Sequence, residues 1–108
     1  MFEYAATVIR VIDGDTIEAD LDLGFRIHLH THIRLAGLNA PELRMPNGAA
    51  SRDHLVSLLI APILVKTRLG REFEKYGRVL GDIVASGVDV NAAMIAAGFA
   101  VKSEQKGL

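Results

Sequence analysis

The sequence predicts a mainly β domain of the α+β class, a five-stranded barrel with a helix between strands three and four and a short C-terminal helix. Alternating apolar or β-branched segments recur five times, and leucines at helical spacing lie between the third and the fourth. The chain of 108 residues is 50% hydrophobic, which suffices for one buried core and argues against disorder. We therefore expect residues 1–108 to form a single domain.

The first half of the chain predicts three strands. β-branched residues dominate positions 6–12, which end at the turn dipeptide Asp-Gly. Apolar side chains alternate with acidic ones from Thr16 to Leu23, as in a half-buried strand. After Gly24, a second alternation from Arg26 to Leu35 turns five apolar or β-branched side chains to one face, namely Ile27, Leu29, Thr31, Ile33 and Leu35. The two segments should pair as a long hairpin.

A helix should follow the third strand. Two prolines and a glycine make residues 39–48, NAPELRMPNG, a loop. Leucines then recur at helical spacing, with Asn47 or Ser51 as the N-cap, until Pro62 ends the helix.

Further strand segments and a short helix complete the predicted fold. A strand runs from Ile63 to Leu69, and residues 72–87 read as two strand arms around a bend at Tyr76-Gly77. Residues 90–98 form a short helix that Gly98 ends in a left-handed conformation. This order of elements is that of an OB-fold, a partly open five-stranded barrel.

A row of histidines marks the third strand. His28, His30 and His32 occupy alternate positions, and the series continues into Arg34. Alternate residues of a strand share a face but stand roughly 6–7 Å apart, so imidazoles there can share a metal only if the strand bends. A zinc site would also need a closed ligand set, and the chain has no cysteine. We expect a solvated outer strand face rather than a metal site.

Composition excludes several classes of protein. Without cysteine there is no disulfide framework, and no segment reads as a signal peptide or a membrane span. We therefore expect a cytoplasmic protein with no membrane partner. The net charge of −1 is not the basic balance typical of nucleic-acid binders, but eight of the twelve basic residues are arginine, whose planar fork suits phosphate.

Four short motifs, each weak alone, carry the functional information. DGDT (residues 13–16) could be an ordinary turn, NAPE (residues 39–42) an ordinary loop, and KYGR (residues 75–78) a solvated hairpin tip. In the order DGDT, RLAGLNAPE, KYGR and VNAAMIAAGFA, they resemble the thermonuclease (staphylococcal nuclease-like) family. The likeness runs from residue 6 to about Val101 and includes the spacing and strand context of each motif.

The resemblance implies an OB-fold enzyme that hydrolyses phosphodiester bonds of single-stranded or frayed DNA and RNA, depends on calcium and leaves 3′-phosphates. Asp15 matches the calcium-binding aspartate of the family. Asn39 stands where the family usually has a second metal-binding aspartate, and Ala40 matches a residue whose backbone carbonyl reaches the metal. An amide oxygen binds calcium more weakly than a carboxylate, so we expect looser affinity and a broader choice of divalent ions.

The resemblance also assigns the residues that act on the phosphate. Arg34 and Arg78 match the two arginines that clamp it, and Glu42 matches the proposed general base. Lys75 and Tyr76, in the same bend as Arg78, are candidates for substrate contact. The histidines that share a face with Arg34 would flank the nucleic-acid path and add positive charge below about pH 6.5.

Two alternatives to a nuclease stay open. The long C-terminal helix of the family's type member has no counterpart here, nor do the tyrosines that stack on substrate there. We expect the apolar surface left bare to bind a second copy, as a homodimer, or another partner. The protein could then be a nucleic-acid-binding module with weak catalysis, or a protein-interaction domain. Neither alternative requires all four residues that the resemblance assigns to metal binding and catalysis, which are Asp15, Arg34, Glu42 and Arg78.

Overall fold

The computed structural model describes residues 2–68 and 70–103. Within these ranges the strands are β1 (Phe2–Asp13), β2 (Thr16–Asp22), β3 (His28–Leu35), β4 (Leu38–Asn39), β5 (Ile63–Thr67), β6 (Val79–Ala85), β7 (Val88–Asp89) and β8 (Val101–Lys102). The helices are α1 (Gly48–Leu58) and α2 (Val90–Ala96).

Five of these strands close a barrel. β1 pairs antiparallel with both β2 and β5, and the pairs β2–β3 and β5–β6 are antiparallel too. Parallel pairing of β3 with β6, from Ile33 beside Val79 to Leu35 beside Gly81, closes the ring. Glycine is required at this closure, because a Cβ on Gly81 would lie 2.7 Å from Val65 Cγ1. The predicted OB-fold barrel is confirmed.

The hydrophobic core fills the barrel and continues under both helices. The buried side chains of β2 alternate, as the period-two pattern predicts, and they are Ile17, Ala19 and Leu21. Leu55 of α1 and Met94 of α2 are fully buried against the same core. Neither helix in the described ranges is long and apolar enough to cross a membrane.

The β2–β3 hairpin forms as predicted, but its outer half leaves the core. Ile33 is fully buried, whereas Leu29 is 38% exposed and Ile27, just before the strand, is 57% exposed. Among the described residues, β6 pairs only with residues 33–35 of β3. The strand begins at His28 rather than at the predicted Arg26. Residues 24–26 instead adopt positive φ angles of 86°, 55° and 63° and make the turn.

One predicted strand was wrong. The arm before Tyr76 contributes a single bridge, between Phe73 and Val79, and no strand. The carboxylate of Glu74 accepts hydrogen bonds from the backbone N–H groups of Tyr76 at 3.0 Å and of Arg78 at 2.9 Å. These bonds hold a tight turn in place of a strand ladder. Leu69, the predicted end of the preceding strand, lies outside the described residues.

The helix ends differ in detail from the prediction. Asn47 precedes α1 as expected, but at φ 66° its side chain makes no capping hydrogen bond. Ser51 lies inside the helix, fully buried, and its hydroxyl donates to the carbonyl of Phe99 at 2.7 Å. Gly98, at φ 79°, follows the end of α2 as predicted.

Candidate active site

Asp15 is the centre of a buried polar cluster in the turn between β1 and β2. Its Oδ1 accepts a hydrogen bond from Thr16 Oγ1 at 2.9 Å, and its Oδ2 accepts one from the backbone N–H of Ala40 at 2.8 Å. Arg34 Nη1 lies 3.3 Å from the same Oδ2, and both side chains are only 10% exposed. Donors from three chain segments therefore hold this carboxylate in one orientation.

Arg34 lies near the C-terminal end of β3, and hydrogen bonds orient its guanidinium group in the absence of substrate. Its Nη1 also lies 3.3 Å from the carbonyl oxygen of Leu35, and its Nη2 donates to Asn39 Oδ1. The amide of Asn39 is held at its other end, because Nδ2 donates to Ser103 Oγ at 2.9 Å. The structure thus brings Asp15, Arg34, Asn39 and Ala40 into direct contact.

Arg78 is held by Glu74, four residues earlier in the turn. Its Nε and Nη2 donate to the two oxygens of the Glu74 carboxylate at 3.1 Å and 3.0 Å. Glu74 hydrogen bonding is the largest cause that raises the pKa of Arg78, and the negative charges of Asp15 and Asp13 act in the same direction. Leu80, two residues after Arg78, is the pairing partner of Arg34 in the β3–β6 ladder, so the backbone of Arg78 lies close to that of Arg34.

Lys75 and Tyr76 flank Arg78 on the surface. The Tyr76 ring is 73% exposed, and its centroid lies 5.0 Å from Lys75 Nζ and 5.8 Å from Arg78 Cζ. Cations at such distances from an aromatic ring attract it electrostatically. An exposed ring beside two cations is a suitable surface for a nucleobase and its phosphate.

Glu42 stands at the edge of the cluster rather than within it. Its side chain is 69% exposed and pairs with Arg44 at 3.5 Å. Ala40, which is tied to Asp15, lies two residues earlier, and two residues span at most about 7 Å. Close packing supports this loop, because a Cβ on Gly48 would lie 2.0 Å from the Glu42 carbonyl oxygen.

The histidines of β3 face solvent, as the sequence predicts. His28 Nδ1 lies 2.7 Å from Asp20 Oδ2, and His30 pairs with Glu18. His32 is exposed as well. Among the residues that the structure describes, no three His, Cys, Asp or Glu side chains are grouped to hold a metal ion. The expectation of a solvated outer face is confirmed.

The chain is similar over most of its length to proteins named as nucleases. Residues 32–107 match the family described as staphylococcal nuclease homologue. The chain belongs to this family. It is 38% identical over 99 residues to a protein of Escherichia coli named as an uncharacterized endonuclease, a match that covers 91% of this chain and 60% of that protein. Over 83 residues it is 30% identical to a micrococcal nuclease of Shigella flexneri, which covers 77% of this chain and 44% of that protein.

A longer bacterial protein contains a similar segment. Endonuclease YhcR of Bacillus subtilis is 31% identical over 111 residues, and the match covers 91% of this chain but only 9% of the Bacillus protein. The chain spans about 60% of the length of the Escherichia coli relatives. Membership of the thermonuclease family, predicted from the four motifs, is confirmed.

This staphylococcal nuclease homologue has a set of hard oxygen donors beside Arg34. The backbone N–H of Asp15 donates to Asp13 Oδ1 at 3.1 Å, which brings the two aspartates together. Asn39 and Ala40 contribute an amide and a carbonyl oxygen on a segment bonded to Asp15. Carboxylate, amide and carbonyl oxygens suit Ca²⁺ or Mg²⁺, which fill the remaining positions with water. The donor set fits a calcium ion and does not suit a metal that prefers sulfur or imidazole.

The pKa of Asp13 determines the direction in which folding stability changes with pH. Burial, followed by the hydrogen bond and charge of Asp15, raises the pKa of Asp13 from 3.8 to about 6. The folded protein therefore holds this proton more tightly than the unfolded chain does, so the metal-free protein should lose stability as the pH rises between those two values. Asp13→Asn should remove that loss and stabilise the chelated protein at pH 7 by about 1 kcal/mol, after allowance for solvent screening. Thermal unfolding in chelator from pH 4 to pH 7 measures the effect, and equal pH slopes for the two proteins would contradict it.

Sequence reasoning missed one residue that orients a site side chain and one that ties α2 to the barrel. Glu74 is 4% exposed and orients Arg78, and the signal for it was a glutamate four residues before an arginine in EKYGR. Asn91, inside α2, donates from Nδ2 to the carbonyl of Ala36 at 2.9 Å, while its Oδ1 accepts from the N–H of Ile83 at 3.0 Å. No sequence pattern distinguishes such a buried asparagine from a surface one.

Proposed function

We propose that this protein is a calcium-dependent nuclease that hydrolyses single-stranded DNA and RNA and leaves 3′-phosphates. The observation that carries the proposal is the contact of Arg34 with Asp15 inside a cluster of oxygen donors. Glu74 holds Arg78 two residues before Leu80, the strand partner of Arg34. The names of its relatives, which include endonucleases and a micrococcal nuclease, support the nuclease class.

Arg34 and Arg78 are proposed to bind the non-bridging oxygens of the scissile phosphate. Negative charge grows on these oxygens as water attacks, so donors aimed at them bind the transition state more tightly than the substrate. Contacts with Asn39 and Glu74 orient the two guanidinium groups in advance. Losing one such donor typically costs about 3 kcal/mol in activation free energy.

Glu42 is the proposed general base. It accepts a proton from the attacking water as the new O–P bond forms, and the P–O5′ bond on the opposite side breaks. The leaving 5′ oxygen takes a proton from solvent water, and the phosphate stays on the 3′ side. For this, Glu42 must turn from Arg44 towards the cluster when the substrate binds.

Asp15, the amide oxygen of Asn39 and the backbone carbonyl of Ala40 would hold the calcium ion. A divalent cation bound there supplies positive charge to the phosphate and lowers the pKa of nearby water. Arg34 and Ser103 fix the orientation of the Asn39 amide, and Thr16 fixes the Asp15 carboxylate.

Cleavage of denatured DNA in calcium or in chelator tests the proposal. We expect fragments with 3′-phosphates in calcium and none in chelator, and a rate at least about a hundredfold lower for Glu42→Gln. Glu3→Gln is a matched control, because Glu3 is an exposed glutamate on β1 that pairs with Lys66 at 3.3 Å. It should cleave at the wild-type rate. Wild-type protein that binds DNA but does not cleave it with any divalent ion would favour the binding module instead.

Asn39→Asp should tighten calcium binding about tenfold, because a carboxylate adds a negative charge to the proposed metal shell. Ser103 loses a donor in this variant, but its hydroxyl can donate to the new carboxylate. Isothermal titration with calcium compares the two proteins. Affinity that is unchanged or lower in the variant would contradict a metal-binding function for residue 39.

We also propose a homodimer, which exposed apolar side chains support. Val56 and Ile60 lie at the end of α1 and just after it, Val101 lies in β8, and each is more than half exposed. Burying such surface against a second copy would be favourable. Sedimentation should detect dimers at high protein concentration, and monomers alone would remove this proposal.

A further inference from the structure

A cationic cavity lies beside the candidate active site. It has a volume of about 450 Å³, and three basic side chains line it, those of Arg68, Arg71 and Lys102. The chain has a net charge of −1 and only twelve lysines and arginines, so this is a local concentration of positive charge. The described residues that line the cavity include no acidic one, and Asp82, outside the lining, pairs with Arg68 and offsets one of the three positive charges. Such a cavity favours an anion.

One of the three cations is fixed by a neighbouring carboxylate. Arg68 donates from Nε and Nη2 to the two oxygens of Asp82, both at 3.0 Å, and Arg68 follows directly after β5. A guanidinium held by a bidentate pair loses little further freedom when it binds a ligand. One side of the cavity therefore carries a guanidinium group that is already oriented.

Ser103 joins this cavity to the candidate active site. Its side chain lines the cavity, and its Oγ accepts the hydrogen bond from Asn39, whose Oδ1 receives Arg34. Its backbone N–H donates to the carbonyl of Gly37, another lining residue, at 2.9 Å. A strand with one phosphate at Arg34 would therefore pass the mouth of the cavity within a short distance.

We propose that this cavity, which we call the Arg68–Arg71–Lys102 cavity, binds a second phosphate of the nucleic-acid strand whose neighbouring phosphate is at Arg34. The inference rests on the proposed function for the identity of the strand. Guanidinium groups match the geometry of phosphate oxygens, and the cavity is within the size range of sites for small ligands such as a nucleotide. A second phosphate contact favours strands with several phosphates over substrates that have a single phosphodiester.

Binding of a fluorescent eight-nucleotide DNA strand in chelator tests the cavity without cleavage. The variant carries Arg71→Gln and Lys102→Gln, and the control carries Arg26→Gln and Arg52→Gln, which remove the same charge from the hairpin tip and from α1. We expect the cavity variant to bind about tenfold more weakly, and its plot of log affinity against log salt to be shallower by about 0.7, the value for one phosphate contact on a single strand. The control should match the wild type within about twofold. Equal affinities for the two variants, or wild-type protein that does not bind the strand, would overturn the proposal.

A scan with neutral linkages identifies the phosphate. Each strand carries one methylphosphonate, which removes a single negative charge, at one position. At one linkage other than the cleaved one, the wild type should lose about tenfold in affinity while the cavity variant loses almost nothing. Uniform losses in both proteins at every linkage would show general electrostatics and overturn the proposal. The proposal would also be overturned if added inorganic phosphate left strand binding unchanged in both proteins.

The outcomes separate this inference from the proposed function. If the wild type cleaves DNA while both variants bind like the wild type, the nuclease assignment stands and the cavity assignment is wrong. If no cleavage occurs with any divalent ion but the linkage-specific difference persists, the protein binds nucleic acid through the cavity without being a nuclease.

Discussion

Replacing Arg34 by lysine should lower the rate of single-stranded DNA cleavage by at least about a hundredfold. Lysine keeps the positive charge but offers a point charge in place of a planar fork, so it cannot contact Asp15, Asn39 and a phosphate oxygen together. Removing one donor that stabilises a developing oxyanion typically lowers turnover by about a hundredfold to a thousandfold. Cleavage rates at saturating substrate measure the effect directly.

The control for Arg34→Lys must separate lost chemistry from lost structure. The Arg34 side chain is 10% exposed, so lysine leaves the carbonyl of buried Leu35 and the amide oxygen of exposed Asn39 without their donor, at a cost of about 1–3 kcal/mol in folding stability. Thermal unfolding of the variant quantifies that cost, and assays well below its unfolding temperature remove it from the comparison. Arg52→Lys, on α1 and paired with Asp53, is the matched surface change and should cleave normally. A folded Arg34→Lys protein that keeps more than a third of the wild-type rate would contradict the assigned function of Arg34.

Glu74→Gln should lower the cleavage rate about tenfold through Arg78, without touching substrate itself. The carboxylate accepts two bonds from the Arg78 guanidinium and two from backbone N–H groups, and a neutral amide has one oxygen in place of two. Arg78 would then lose its fixed orientation, and KM should rise less than kcat falls. Loss of these charge-assisted bonds should also lower folding stability by about 2 kcal/mol.

The pH dependence distinguishes this effect from general damage. Hydrogen bonds from Arg78 hold the pKa of Glu74 below its ordinary value. The wild type therefore gains stability from this group above the ordinary glutamate pKa and loses it as the pH falls through the lowered pKa, whereas Glu74→Gln should lack that acid-side loss. Glu3→Gln serves again as the control, with unchanged kcat. Wild-type turnover in Glu74→Gln would show that Arg78 does not depend on this contact.

The barrel could be predicted from the sequence because hydrophobic periodicity specifies it. The alternation in β2, the helical leucines that include Leu55, and the glycine after α2 each report a local rule that the fold obeys. The exposed histidines followed from the same alternation. Family resemblance also selected the residues Asp15, Arg34, Asn39 and Ala40, which the structure places in contact.

Other features could not be predicted, because they depend on contacts between distant segments. The pattern before Tyr76 suggests a strand, but the buried Glu74 carboxylate replaces the ladder with its own hydrogen bonds. Arg68 and Lys102 are far apart in the sequence, so no local pattern predicts the cavity that they both line. The outer half of β3 alternates like a buried strand, yet only the last three residues of β3, which pair with β6, are buried. These features depend on tertiary contacts, so no local sequence pattern predicts them.

The most direct measurement is the rate of cleavage at one defined linkage for the wild type, Arg34→Lys, Arg78→Lys and the double variant. If acidic oxygens and both guanidinium groups converge on one phosphate, each single change should cost about a hundredfold, and the double variant should lose much less than the product of the two. Losses that multiply fully, or a single variant that cleaves like the wild type, would contradict convergence on a single phosphate.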